Sequence, residues 1–302
     1  MKKKRILTAF LVIFLLFIAV SILSFVLNYG VGKPIIGDRV GVVEINGIIK
    51  SSDDILKQLY EFGNDKNVKA IIVRIDSPGG AVGPSQEIYS EIMKIKKKKP
   101  IVASIGTLGA SGGYYIASGA TKIVANPGSI TGSIGVIIQF YNFHQLLSKF
   151  GIKGNTVKSG QFKDTGSPMR DMTKEEVAYI QSVIDDVHHQ FVESVAIGRN
   201  LKKEAILPIA DGRIITGKLA KELKLIDETG NFNDAINLAK KLAHIEGEPK
   251  LIYAKKKKNT LLELLGGFSE SDSKSKVLML LSELRIPFYI TKLTEMGGVV
   301  GE

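Results

Sequence analysis

The sequence predicts an α/β protein: a mostly parallel sheet covered by helices and preceded by one N-terminal transmembrane helix. Three observations carry this prediction. Apolar, β-branched runs alternate with amphipathic segments between residues 40 and 242, the pattern of strand–helix–strand units. An uncharged run over residues 6–27 follows the basic start MKKKR. The 302-residue chain is 44% hydrophobic and 24% charged, with 31 glycines in no repeat, which excludes disordered and collagen-like chains.

The elements follow in order. The run over 6–27 spans roughly 33 Å at about 1.5 Å per residue, enough for a bilayer core. It is longer than the apolar region of a signal peptide and is not followed by an A-x-A site, so it reads as an uncleaved anchor. Four basic residues precede it and only Lys33 follows closely. The positive-inside rule therefore places the N-terminus in the cytoplasm and the remaining chain on the outer face of the cytoplasmic membrane. Residues 1–29 form the basic stub and anchor, 30–37 a linker around Pro34, 38–254 the main folded body and 255–302 an appendage of shifted composition.

Within the body, strands are expected over 40–45, 70–75, 101–105, 122–125 and 134–140, with another ending at 156–158 and a late one within 249–254. Helices are expected over 51–62, 85–95, 111–118, 143–150, 173–197, 218–223 and 233–242. The helix at 173 starts TKEE, a Thr cap with Glu176 three residues on. The lysines at 96–99 read as a solvated run stopped by Pro100.

The net charge of +11 suggests nucleic acid until it is located. Runs of four at 2–5, 96–99 and 255–258 hold twelve of the 41 basic residues, and the remaining 29 balance 30 acidic ones. This is no recognition face with interleaved aromatics, so no nucleic-acid partner is expected. The absence of cysteine excludes a disulfide scaffold, a cysteine nucleophile and thiolate metal sites.

Three segments carry chemistry. The first, Arg74-Ile75-Asp76-Ser77-Pro78-Gly79-Gly80, follows a buried strand; it reads as an ordinary turn or as exposed amides that receive a developing negative charge. In the second, Gly109-Ala110-Ser111-Gly112-Gly113-Tyr114-Tyr115, a Gly-flanked serine stands between a strand and a helix. Ser111 is either a helix cap or a nucleophile, with the Gly112 amide aimed at the same oxyanion. A serine nucleophile needs a base. His188 and His189 are adjacent in a helix and diverge by about 100°, and His144 and His244 lie in amphipathic helices, so none has a triad context. The third segment, Val157-Lys158-Ser159-Gly160-Gln161-Phe162-Lys163-Asp164, offers Lys163, one candidate among several. A lysine base must be neutral, hence buried and free of close acids.

Together with Thr131-Gly132-Ser133-Ile134-Gly135 and the run from Asp211-Gly212-Arg213 to Gly217, these motifs resemble the signal peptide peptidase A family in its short bacterial form. The resemblance covers roughly residues 40–242, and the N-terminal anchor matches as well. It implies a Clp-protease/crotonase-like fold and a serine endopeptidase with a Ser–Lys dyad. On matching positions Ser111 is the nucleophile, Lys163 the general base and Ser133 the serine that orients the lysine amine. Gly80 and Gly112 supply the oxyanion amides, with Gly79 beside them. Clp-type subunits carry a histidine about 25 residues after the serine. The corresponding stretch here, Ile134-Gly135-Val136-Ile137-Ile138, has none, in line with a lysine base.

The resemblance further implies peptide substrates, chiefly cleaved signal peptides, a ring-shaped homo-oligomer, and neither metal nor organic cofactor. Two rival classes share some features. A crotonase-like acyl-CoA enzyme needs no buried neutral lysine and is distinguished by acyl-CoA binding; a non-catalytic membrane scaffold is excluded by reaction of Ser111 with an activated phosphonate.

Overall fold

The computed structural model describes residues 12–21 and 38–254, the latter all within the unit that ends at Ala254. Residues 12–21 are helical (α1) and exposed. No helix among the described residues is long and apolar enough to cross a membrane. The rest of the expected anchor, the linker and the appendage lie outside the described residues.

The body runs β1 (Arg39–Asn46), α2 (Asp53–Asn64), β2 (Val68–Ser77), α3 (Val82–Ile95), β3 (Ile101–Ala110), α4 (Gly112–Ser118), β4 (Lys122–Ala125), β5 (Ile130–Gly132), α5 (His144–Lys149), α6 (Lys174–Arg199), α7 (Lys203–Ile206), β6 (Ile214–Thr216), α8 (Gly217–Glu222), β7 (Glu228–Thr229), α9 (Phe232–Leu242) and β8 (Lys250–Tyr253). The sheet order is β6-β5-β3-β2-β1-β8, with β4 bridging β3 and β7. Every pairing is parallel except β5 with β6.

The central strands carry long apolar runs, such as Ala70 to Val73 of β2, because both faces are covered. Ile71, Val73 and Ile75 of β2 join Leu59, Ile88, Ile92 and Tyr114 on one face. Ala70 and Ile72 alternate to the other face and meet Ala235 and Ala239 of α9.

Strand β3 changes partner along its length. Val102 to Ile105 pair with β4, whereas Leu108 to Ala110 pair with β5. The β2–β3 register shifts between these halves, and the Asp76 carboxylate accepts the Leu108 amide at 3.1 Å. Asp76 thus holds the irregularity across which β3, still paired with β2, exchanges β4 for β5 just before Ser111.

Several expectations fail. Residues 134–140 and 156–158 form no strand. At the end of β5, Gly132 (φ 73°) and the following Ser133 (φ 49°) adopt left-handed backbone, which turns the chain out of the sheet. The short strands β6 and β7 and helix α7 carry too little periodicity to be read in advance. The lysine run is not uniformly solvated: Lys99 Nζ donates to the carbonyls of Phe62 (2.6 Å) and Asp65 (2.9 Å) at the end of α2, where a cation complements the helix dipole. Burial, then the nearby Arg199 charge, lowers the Lys96 pKa.

Candidate active site

Ser111 occupies φ 52°, ψ −123°, a sparsely populated region that a non-glycine residue adopts only when its surroundings enforce it. They do so from both sides. Its amide donates to Gly132 O at 2.9 Å and its carbonyl accepts from Tyr115 N at 2.8 Å. Its side chain makes no cap hydrogen bond to α4, so of the two sequence readings capping is not the one the geometry favours.

The loop after β2 interlocks with the start of α4 through glycines. Gly79 has φ 100°, and a Cβ there would lie 2.6 Å from Gly112 N and 2.9 Å from Ser111 Cβ. A Cβ on Gly112 would lie 3.3 Å from Gly80 N, and one on Gly80 would lie 2.1 Å from Ile49 O. Only without side chains do the two loops approach closely enough for the Gly80 and Gly112 amides to stand beside the same serine. The first loop is pinned by Ser77 Oγ, which donates to Gly47 O (2.6 Å) and accepts from Gly79 N (3.1 Å). Ile49 N donates to Gly79 O, and Ala81 N to Ile49 O.

Ser111, Gly80, Gly112 and Ser133 all line one cavity of about 550 Å³. Ser133 is held there by its amide, which donates to Arg213 O at 2.8 Å. Apolar walls come from Val82, Val136, Ile137, Ile184 and Phe191. The ring of Tyr115 packs 4.8 Å from Phe191 and 5.1 Å from Tyr89, which joins α4 to α3 and α6. Asp211 reaches the rim, its carboxyl held down to about 2 by the Arg213 guanidinium.

Lys163 is not in this cavity. It is exposed in a turn, and its amide donates to Gly160 O at 3.2 Å. Lys158 belongs to no strand; its Nζ donates to Asp164 at 2.5 Å. Conversely, the cavity includes a residue that sequence reasoning set aside. His188 lines it, and its Nε2 is buried without a hydrogen-bond partner among the described residues. Gln181, Ile184 and Asp185 share that helix face at helical spacing. The spacing is visible in the sequence, but the direction of the face is not. No group of residues suited to a metal ion occurs among the described residues.

A strained serine beside paired amides and an apolar cleft is an arrangement for acyl transfer. Residues 93–246 match the model of peptidase family S49, and residues 41–130 that of Clp protease. The chain belongs to peptidase family S49. As an S49 peptidase it is a serine protease, and its mostly parallel sheet accords with a Clp-protease-like fold. A Synechocystis protein provisionally named as a protease is 41% identical over 250 residues, 82% of this S49 chain and 90% of its own length. An Enterococcus faecium protein provisionally named signal peptide peptidase SppA is 43% identical over 187 residues, 62% of this chain and 54% of its own. The chloroplastic serine protease SPPA of Arabidopsis thaliana is 31% identical over 223 residues, 73% of this chain and 33% of its own.

Proposed function

We propose that this S49 peptidase is a membrane-anchored serine endopeptidase that cleaves apolar peptides, chiefly spent signal peptides, at the outer face of the cytoplasmic membrane. Ser111 Oγ attacks the peptide carbonyl while neutral Lys163 takes its proton. The Gly80 and Gly112 amides hold the oxyanion, with Gly79 keeping them together, and Ser133 orients the lysine amine. Lys163 returns the proton to the leaving amine, and water, deprotonated in turn by Lys163, hydrolyses the acyl-enzyme. The apolar walls of the cavity suit the side chains of a signal peptide, and the uncharged run over 6–27 keeps the site near substrates released in the bilayer.

The observation that carries this reading is the strained Ser111 between the two glycine amides. Lys163 stands outside the cavity of the single chain, so base catalysis requires its turn to close over Ser111 or a neighbouring copy's turn to do so. The ring assembly implied by the sequence resemblance provides that second route.

The test uses the full chain in detergent micelles with a fluorogenic apolar peptide. Ser111→Ala is expected to abolish turnover and labelling by an activated phosphonate, and Lys163→Ala and Lys163→Arg to abolish turnover as well, since guanidinium stays protonated. Turnover by folded Ser111→Ala, or near-normal rates in Lys163→Arg, refutes the assignment.

A further inference from the structure

Arg170 ties the turn that carries Lys163 to the first turn of α6. Arg170 Nε and Nη2 donate to the two Asp164 carboxylate oxygens at 2.8 and 2.7 Å. Its Nη1 and Nη2 donate to the Glu176 carboxylate at 2.8 and 2.5 Å. Glu176 is only 1% exposed; it also accepts from Thr173 N (2.9 Å) and Thr165 Oγ1 (3.2 Å). Phe162, on the other side of Lys163, packs 5.0 Å from the Tyr179 ring of α6. Lys158 adds a second cation on Asp164 Oδ1. The cluster balances two carboxylates against two cations, and both oxygens of Asp164 are occupied. Among the described residues no carboxylate lies within ion-pair distance of Lys163, although Asp164 is its immediate neighbour in sequence.

We propose that Arg170 is a positioning residue for catalysis: by engaging both Asp164 carboxylate oxygens and tying them to Glu176, it withholds the acid adjacent in sequence from the Lys163 amine. The proposal rests on Lys163 being the base. Such a base works only in its neutral form, and a carboxylate within a few ångströms favours the ammonium. The charged groups around the turn are Lys158, Asp164, Arg170 and Asp171 from the chain beside it and Glu176 from α6. The Arg170 hydrogen bonds, then that of Lys158, hold the Asp164 carboxyl well below the usual range, and Arg170 brings Glu176 down to about 2. Both acids are therefore anionic wherever the enzyme turns over. Without Arg170 the cluster carries a net negative charge, and Asp164 is free to swing to its neighbour.

The test measures kcat/KM against pH for the full chain in detergent. In Arg170→Met the rising limb is expected to move up by about one pH unit or more, the effect of a newly available opposite charge. Arg170→Met with Asp164→Asn is expected to return the limb to its wild-type position, because the offending charge is gone, and Asp164→Asn alone to leave it there or lower. If Arg170→Met does not fold, Arg170→Lys, which retains charge but loses the fork, carries the same comparison. A uniform loss of rate with the limb in place, or a shifted limb that Asp164→Asn does not restore, gives Arg170 a merely structural role and overturns the proposal. Lys163→Ala is run alongside. Wild-type turnover there refutes the dyad itself, whereas an inactive Lys163→Ala with an unmoved Arg170→Met limb refutes only the role of Arg170.

Discussion

At Ser111 two demands oppose each other. The proposed nucleophile needs a side chain, and its backbone, at φ 52° and ψ −123°, suits a residue without one. A conformation of this kind costs about 1–3 kcal/mol. Ser111→Gly removes the strain, while the added freedom of its unfolded chain costs only about 0.4–1 kcal/mol. Ser111→Gly is therefore expected to melt above Ser111→Ala, by roughly 2–4 °C for each kcal/mol gained in a domain of this size, with both inactive. Equal melting temperatures in scanning calorimetry would show that the serine is not strained. The glycines and the serine were legible in the sequence because their signal is local: closely approaching loops demand glycine, and a Gly-flanked serine between a strand and a helix stands out in the sequence itself. His188 was not, since an adjacent histidine pair says nothing about which of the two faces a cleft. Lys163 lies between these cases. Its motif is readable, but among the described residues its side chain is exposed and outside the cavity, and the motif does not announce that placement.

Helix α6 links the site to the core. Its N-terminus is closed by the Thr173–Glu176 capping box, with Glu176 shared by Arg170, its middle lines the cavity, and its end crosses α4. At that crossing a Cβ on Gly198 would lie 2.2 Å from Ser118 O. Gly198→Ala must therefore push α6 away from α4, and overpacking of this kind typically costs about 1–3 kcal/mol. A lowered melting temperature by circular dichroism is expected; an unchanged one would mean that the helices part without cost. The capping box and most helices were readable from cap residues and 3.6-residue periodicity. The strand expected over 134–140 was not there, although its composition is that of a strand. Ile134 is buried but Ile137 is 86% exposed; composition registers β-branched residues, whereas a strand also needs an edge to pair with, and the left-handed Gly132 and Ser133 carry the chain past that edge.

For the whole molecule, the proposed topology determines which peptides the cavity meets. A reporter active only outside the cytoplasm, fused after Gly37, is expected to be active, because four basic residues precede the uncharged run. Activity of a cytoplasm-only reporter at the same junction would reverse the topology and remove signal peptides as substrates. The alternation of strands and helices made the layered architecture legible, but it left the closing pair unannounced. Residues 39–42 of β1 lie against residues 250–253 of β8. Ribosomal synthesis delivers these partners roughly 10–40 s apart, at about 5–20 residues per second over about 210 residues. Throughout that interval the outer edge of β1, with the apolar stretch Val40-Gly41-Val42-Val43, lacks the only partner it has among the described residues and offers open hydrogen-bonding groups to other strands. A nascent chain released before residue 254 is made would keep that edge permanently, so early termination would yield an aggregation-prone product even with the cavity and every proposed catalytic residue already synthesised.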